Sequence, residues 1–296
     1  MALCAQVHQT GNRAEHLIGG DRALKRLPER LLLFGNRTTD RLKVMNIQST
    51  EHDVISRLTR RGVLRAGINV ANGLLVSRMS LSGDPEGIAP DIAREIAARL
   101  GVQVTYVPFA SPGELTDAAE DDVWDIGLIG VEPERAKRIA FTPAYVEIEA
   151  TFLVPAVSVL TSVDEVDRPG MRIAVAAGSA YGLWLARNME YATLVWSDTH
   201  DFAYRKFVDK GLSALAGLKP QLLSDVDRFS GTRVLDGRFT VIQQAIGIAR
   251  CGEAAYKFLC DFVEDAKASG LVERLIRRHH VRGLAVATAV RGIRPI

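Results

Sequence analysis

The feature that most constrains the fold of this chain is an apolar run that ends at a glycine and leads directly into a short helix. The run extends from Trp124 to Ile129 and ends at Gly130, which predicts a buried strand followed by a tight turn. Pro133 then stands at the first helical position, where its missing N–H has no cost. Arg135 therefore falls in the first turn of a helix, beside backbone N–H groups that the helix start leaves free.

A planar guanidinium next to free amides is typical of a carboxylate site, because both present N–H donors and positive charge to one anion. The sequence therefore predicts that Arg135 binds a carboxylate. The alternative interpretation of the Glu-Arg-Ala-Lys-Arg run at residues 134–138 is a solvated helix end whose arginine lies on the surface. The surrounding segments favour the carboxylate site.

The rest of the chain alternates predicted strands and helices, as in an α/β fold. The predicted strands are Leu64–Asn69, Val102–Val107, Asp125–Ile129, Ile148–Val154, Arg172–Ala177, Thr193–Trp196, Leu212–Ala216 and Val241–Ala249. The predicted helices are Ala89–Leu100, Ser111–Glu120, three that begin near Tyr181, Thr199 and Lys219, and then Glu253–Ala268 and Leu271–His279.

Several segments stand in an order and spacing that resemble a known family. They are Gly62–Asn69, Gly87–Gly101, Val102–Pro108, and Trp124–Gly130 followed by Glu134–Tyr145. Together they resemble the bacterial extracellular solute-binding proteins, family 3, which bind ligands for polar amino-acid ABC transporters. The likeness covers roughly residues 61–280.

The resemblance implies an α/β fold of the two-lobe type II periplasmic binding protein class, with hinge strands between the lobes. Lobe 1 is predicted to comprise residues 59–152 with 243–283, and lobe 2 residues 153–242. We expect residues 1–58 to form a disordered N-terminal extension, because they show little hydrophobic periodicity. Residues 284–296 are predicted to be a C-terminal tail.

A second candidate anion site follows the predicted strand that ends at Ala177. Gly178 permits a turn, and Ser179 and Ala180 open a helix whose free amides are expected to face the cleft. In the family that this chain resembles, the equivalent turn receives the ligand's carboxylate opposite the arginine. The alternative is an ordinary helix N-cap, since a glycine and a serine before a helix are common.

The chain departs from the family pattern around the expected ligand. Family members usually carry a serine or threonine where this chain has Gly130, and a threonine where it has Glu132. Asn69 replaces the usual first-strand aspartate, and Asn72 replaces a nearby aromatic residue. Residues 210–220, where the family places the acid that binds an α-amino group, contain no acid. A ligand carboxylate is therefore predicted, whereas an α-amino group would lack its counter-charge.

The resemblance implies a binding module and not an enzyme. It predicts the solute-binding component of an ABC importer, which closes on a small carboxylate-bearing ligand, an amino acid or a related organic anion. A membrane permease then recognises the closed form. The predicted ligand-binding residues are Asn69, Asn72, Gly130, Arg135, Gly178, Ser179 and Ala180.

The alternative function is an enzyme of the cyclohexadienyl dehydratase type, which shares the fold and acts on prephenate or arogenate. Enzymes of that type present an acid just after the second-lobe glycine turn, where this chain has Ser179 to Tyr181. Glu147 and Glu149, near the hinge, are the remaining candidate acids.

Composition argues against several other classes of function. A net charge of +2, with acids and bases interspersed, gives no reason to expect nucleic acid as a partner. The 3 cysteines form no metal-ligand pattern, so neither a metal nor another cofactor is predicted. No run approaches the ~18 apolar residues that span a bilayer. We expect a monomer.

The first sixty residues lack the pattern of an exported protein. Such a protein should open with a basic segment, an apolar segment and a small-residue cleavage site, whereas residues 1–50 carry charges throughout. The resemblance implies a periplasmic protein, with Met45 as a candidate later start. If Met1 is the true start, we expect a cytoplasmic protein.

Overall fold

The computed structural model describes residues 52–228, 230–249 and 252–288. Most of the predicted N-terminal extension, the candidate start at Met45 and the end of the predicted tail lie outside these residues. Cys4 and Cys251 also lie outside them.

The described elements alternate along the chain much as predicted. The first half contains α1 (residues 52–58), β1 (Val63–Asn69), β2 (Arg78–Met79), β3 (Pro85–Glu86), α2 (Ile88–Leu100), β4 (Gln103–Phe109), α3 (Pro112–Asp117), β5 (Ile126–Gly130), α4 (Pro133–Ala136), β6 (Ala140–Phe141) and β7 (Val146–Pro155). The second half contains a 3-10 helix (Val163–Glu165), β8 (Arg172–Ala176), α5 (Ala180–Asn188), β9 (Thr193–Ser197), α6 (His200–Asp209), β10 (Ala214–Leu218), α7 (Lys219–Arg228), β11 (Thr232–Val234), β12 (Thr240–Ile248), α8 (Glu253–Ala268), α9 (Leu271–Arg278) and β13 (Leu284–Val286).

The strands form a sheet that passes from one lobe to the other in the order β4-β1-β5-β12-β7-β10-β8-β9. In lobe 1, β1 pairs in parallel with β4 and β5. In lobe 2, β8 pairs in parallel with β9 and β10. Parallel pairing requires crossover connections, and the helices between these strands supply them. Each lobe is therefore a small α/β unit, as predicted.

Two long antiparallel strands, β7 and β12, join the lobes. They pair with each other from Ala150 with Thr240 to Val146 with Gln244. The end of β12 then pairs with β5 of lobe 1, and the end of β7 pairs with β10 of lobe 2. These are the hinge strands expected from the sequence, since each belongs to both lobes. The predicted fold class is thus confirmed.

The apolar face of α2 packs on the lobe 1 sheet. Ile92 and Ile96 are fully buried there, together with Ile68 of β1 and Leu128 of β5. The helical spacing of the isoleucines brings both to one side of the helix, where they cover the parallel strands. This packing fixes the carboxyl ends of β1 and β5, at which the predicted site residues lie.

Both predicted chain ends need correction where the structure describes them. Residues 52–58 form α1, and its Val54 and Leu58 are buried in the core, so this part of the predicted extension is folded. Residues 284–286 form β13, which pairs with β7, so they are not part of a free tail. The apolar side chains of these short segments are too few for periodicity to reveal them.

Smaller differences concern element boundaries. Helix α3 is shorter than predicted, with 6 residues from Pro112 to Asp117, and β10 begins at Ala214, two residues later than predicted. None of the described helices has the length and hydropathy needed to cross a bilayer. The described histidine, cysteine and acidic side chains also form no cluster suited to a metal ion.

Candidate functional site

A cleft of about 420 Å³ lies between the two lobes. The carboxyl ends of β1 and β5 line it from lobe 1, and the first turns of α5 and α6 line it from lobe 2. Hinge strand β12 contributes Ile242 and Gln244. Ligands of open α/β sheets bind outside the carboxyl ends of the strands, so this position is the expected one.

The cleft brings the predicted site residues together. Its lining includes Asn69, Asn72, Gly130, Arg135, Ser179 and Ala180. The seventh predicted residue, Gly178, contacts Arg135 through its backbone carbonyl. Residues from sequence positions more than one hundred apart are thereby gathered around one space.

Arg135 lies in α4 and is only 4% exposed. Its Nη1 donates a hydrogen bond of 2.6 Å to the carbonyl of Gly130, and its Nη2 donates one of 2.7 Å to the carbonyl of Gly178. Burial lowers the pKa of Arg135 to about 10, and the nearby Glu132 carboxylate opposes part of that shift. The guanidinium is therefore charged at neutral pH, and it links lobe 1 to lobe 2.

The start of α4 differs from the prediction that its amides are free. Glu132 caps this helix, and its Oε2 accepts hydrogen bonds from the N–H groups of Glu134 and Arg135, at 2.8 and 3.3 Å. A carboxylate of the chain itself thus occupies the helix start. Glu132 is 1% exposed, and Arg187 of α5 forms an ion pair with it across the lobes. The departure from threonine at this position therefore adds a contact between lobes.

The second-lobe turn has features of both interpretations of the sequence, the ordinary helix N-cap and the turn with free backbone amides. Ser179 is the N-cap of α5, since its hydroxyl accepts from the N–H of Gly182 at 3.0 Å and donates to the carbonyl of Ala176 at 2.7 Å. This is the ordinary capping role. The N–H groups of Ala180 and Tyr181, however, have no acceptor among the described residues. They remain as donors at the cleft.

Gly178 adopts a backbone conformation that favours glycine. Its φ of 66° lies in the left-handed region, which strains any residue with a Cβ, although the space beside this glycine is open. The resulting turn directs its carbonyl to Arg135. The turn thus favours the glycine that the strand-to-helix connection predicted.

The two asparagines shape the loop after β1. The Oδ1 of Asn69 accepts from the N–H of Ala71, and the Oδ1 of Asn72 accepts from the N–H of Leu74, both at 3.2 Å. Such local bonds are typical of Asx turns. The asparagines therefore hold this edge of the cleft in place.

These observations fit the family suggested by the sequence segments. The sequence profile of the bacterial extracellular solute-binding proteins, family 3, matches residues 76–281, more than half of the chain. The chain belongs to this family. No protein among those with curated functions is significantly similar to it in sequence.

Solved structures of other solute-binding proteins share its fold at low sequence identity. The amino acid ABC transporter substrate-binding protein AbpA of Streptococcus pneumoniae, bound to L-arginine, is 15% identical, with a TM-score of 0.64 over 76% of this chain and 97% of that chain. A mutant of ArgBP from T. maritima is 20% identical, with a TM-score of 0.63 over 78% of this chain and 99% of that chain.

A third similar structure connects the binding proteins with an enzyme. An ancestral amino acid-binding protein, a precursor of cyclohexadienyl dehydratase, is 19% identical, with a TM-score of 0.64 over 77% of this chain and 98% of that chain. At these identities the likeness shows the common fold. The ligand of this solute-binding protein must be inferred from its own cleft.

Sequence reasoning missed Gln244 as a cleft residue. It lies opposite Gly130 on β12, where a Cβ added to Gly130 would be 3.4 Å from its Nε2. Gln244 is 4% exposed, although its neighbours on the same strand face, Ile242 and Ile246, are apolar. A lone polar residue in that apolar alternation was the signal that could have identified it.

The second lobe also contributes residues that the sequence did not single out. Tyr181 lines the cleft, and burial raises its pKa to about 12. His200 lines it too, and its Nε2 lies 2.8 Å from Oδ2 of the buried Asp225. Asp198 and Asp201 lie at the cleft but are exposed. These two acids of the cleft lining therefore lie at the rim, whereas Arg135 lies inside.

Proposed function

We propose that this solute-binding protein captures a small carboxylate-bearing ligand between its lobes and delivers it to the permease of an ABC importer. The observation that carries the proposal is the position of Arg135, a buried charged guanidinium at the cleft that already contacts both lobes. A buried cation needs hydrogen bonds and a counter-charge, and a ligand carboxylate supplies both.

The donors around the cleft suit one carboxylate group. A guanidinium has five N–H donors, and two described bonds to backbone carbonyls leave others for a ligand. The N–H groups of Ala180 and Tyr181 add donors from lobe 2, at the positive end of α5. A carboxylate held by both sets would join lobe 1 to lobe 2. Binding and closure are then one event.

The similar structures support a ligand of this class. AbpA was solved with L-arginine, and the other two proteins are ArgBP and an amino acid-binding ancestor. An amino acid or a related organic anion of similar size would fit the cleft of about 420 Å³. We propose a monomer that acts in the periplasm, in keeping with the extracellular family, and that needs neither a cofactor nor nucleic acid.

An enzyme of the cyclohexadienyl dehydratase type is the weaker candidate. The second-lobe turn presents Ser179, which is engaged in capping, where those enzymes present an acid. Glu149 is held by Lys219 and Arg238, each at 2.8 Å, and the same contacts, Lys219 foremost, lower its pKa. An ionised, paired carboxylate is a poor proton donor.

Paired ligands that differ only in the carboxylate test the proposal. We would measure thermal unfolding with amino acids and organic acids, each beside its carboxamide. A bound ligand at about 100 times its Kd stabilises the fold by ~2.7 kcal/mol, so the carboxylates should raise the melting temperature. The carboxamides should not, because they carry no charge for Arg135. Equal stabilisation by both members of the pairs would reject the carboxylate site.

A further inference from the structure

Three side chains of the cleft lining that carry polar groups are buried: Arg135 and Gln244, each 4% exposed, and Tyr181, 6% exposed. Asn69, Asn72 and Ser179 are only half-buried, and the acids Asp198 and Asp201 are exposed. A ligand group that leaves water completely therefore meets a guanidinium, an amide or the phenol of Tyr181. The proposed ligand carboxylate would bind Arg135, which leaves the amide of Gln244 without an assigned partner.

The side chain of Gln244 is not committed to the protein. Its amide makes no hydrogen bond to another described residue, and its atoms are not among the buried unpartnered ones, so the amide meets solvent in the cleft. A ligand that displaces this solvent must supply a hydrogen bond, since an amide left without a partner costs free energy. A polar partner supplied by the ligand accounts for an amide in this position.

Gln244 lies next to the place where the carboxylate is expected. Gly130 is its partner across the β5–β12 pair. Arg135 donates to the carbonyl of Gly130 at 2.6 Å, and Nε2 of Gln244 would lie 3.4 Å from a Cβ on the same residue. The guanidinium and the amide thus flank one glycine. When the ligand carboxylate binds Arg135, the substituent on carbon 2 of the ligand is the group that lies next to Gln244.

The described residues of the cleft lining offer no buried acid to an ammonium group, since Asp198 and Asp201 are exposed. Lys219 stands directly after β10, where the family places an acid for the α-amino group; it lies outside the cleft lining and bonds to Glu149 at 2.8 Å. Gln244 itself is neutral. An ammonium buried beside it would gain a hydrogen bond but no counter-charge. A hydroxyl or a carbonyl can be satisfied fully by an amide, which both donates and accepts.

We propose that Gln244 determines specificity by binding a neutral hydroxyl or carbonyl beside the carboxylate, so that the preferred ligands are 2-hydroxy or 2-oxo acids. The inference rests on the proposed carboxylate function and narrows it. Gly130 is part of the same arrangement, because a serine there would place its Cβ 3.2 Å from Ile242 and 3.4 Å from Gln244. The glycine therefore leaves room for the amide.

Matched ligand triplets test this proposal by calorimetry. Each triplet shares one side chain and carries an amino, hydroxyl or oxo group at carbon 2, as in glutamate, 2-hydroxyglutarate and 2-oxoglutarate, or phenylalanine, phenyllactate and phenylpyruvate. In the best-binding triplet, the hydroxy or oxo acid should bind about tenfold or more tightly than the amino acid, since an uncompensated buried charge is costly. Tightest binding of the amino acid would overturn the proposal.

Two variants assign the preference to Gln244. Gln244→Glu supplies a carboxylate and should reverse the ratio of affinities towards the amino acid. Gln244→Leu keeps the size and should remove the advantage of the hydroxy acid. Gln103→Glu is the matched control, because Gln103 is exposed on β4, outside the cleft lining. Each ratio compares two ligands on one protein, so a general loss of affinity cancels.

The outcomes separate this inference from the proposed function. If no carboxylate binds the wild-type protein, the carboxylate function itself fails, and the role of Gln244 fails with it. If carboxylates bind but both Gln244 variants keep the wild-type ratio of affinities, only the role of Gln244 is wrong. If one variant does not fold, the ratio measured on the other still decides.

Discussion

The guanidinium of Arg135 in lobe 1 donates a 2.7 Å hydrogen bond to the backbone carbonyl of Gly178 in lobe 2. The hinge strands and the ion pair between Glu132 and Arg187 also connect the lobes. The bond from Arg135 places a buried positive charge at the point where they meet. A ligand that binds there contacts both lobes. The following predictions depend on this geometry.

The pH dependence of binding should follow the charge of Arg135. Burial lowers its pKa to about 10, which is a shift against the charged form. Ligand affinity should therefore be constant at neutral pH and fall as pH rises through about 10, by up to tenfold for each further pH unit. Calorimetry over this range, with folding followed by circular dichroism, measures it. Affinity that is constant across that value while the fold persists would contradict the role of the charge.

The ion pair between Glu132 and Arg187 should stabilise the contact between the lobes. Glu132 is buried in lobe 1, whereas Arg187 belongs to lobe 2 and is partly exposed, so the contribution is smaller than for a fully buried pair. Arg187→Gln should weaken ligand binding by about 1 kcal/mol and make affinity less sensitive to salt. It should also increase the radius of gyration of the free protein in small-angle X-ray scattering.

Arg168→Gln is the control for Arg187, because Arg168 pairs with Glu165 inside lobe 2. This variant should keep the wild-type affinity and scattering. If both arginine variants behave alike, the contact between lobes has no special role.

Gly178→Ala should lower stability through backbone strain. Its φ of 66° costs an alanine about 1 kcal/mol, while no neighbouring atom would touch the added methyl group. Gly113→Ala is the comparison, since Gly113 lies in α3 with a backbone conformation that alanine accepts. Chemical denaturation should show a loss for the first variant and none for the second. Equal stability of the two variants would mean that the turn adjusts without strain.

Much of this site was predictable because it depends on local sequence. The strand, glycine and proline before Arg135 fix the position of the arginine, and the glycine turn fixes that of Ser179. The fold follows from alternating strands and helices, and the family resemblance supplied the two lobes. These features need no knowledge of distant contacts.

The parts that were missed depend on contacts between distant segments. Gln244 reaches Gly130 only when β12 pairs with β5, and Glu132 meets Arg187 only across the lobes. The prediction of free amides on α4 was wrong because the side chain of Glu132 turns back to cap its own helix. Periodicity and turn signals carry no information about such partners.

We expect no turnover of prephenate or arogenate. The residues after the second-lobe glycine offer no acid, and the acids at the cleft, Asp198 and Asp201, are exposed to water. Incubation of the purified protein with either compound, followed by detection of the aromatic product, tests this expectation. Product above background, abolished by Arg135→Ala, would establish the enzymatic alternative.

Calorimetry on Arg135→Ala with the best carboxylate from the ligand screen tests the central claim most directly. Removing a charge-assisted contact from a buried cleft should weaken binding by ~2–5 kcal/mol. Arg138→Ala is the matched control, because Arg138 lies three residues further on and bonds to Glu120 and Asp117 at the surface. The account predicts a large loss of affinity for Arg135→Ala and wild-type affinity for Arg138→Ala. Near-normal binding by a folded Arg135→Ala protein would contradict it.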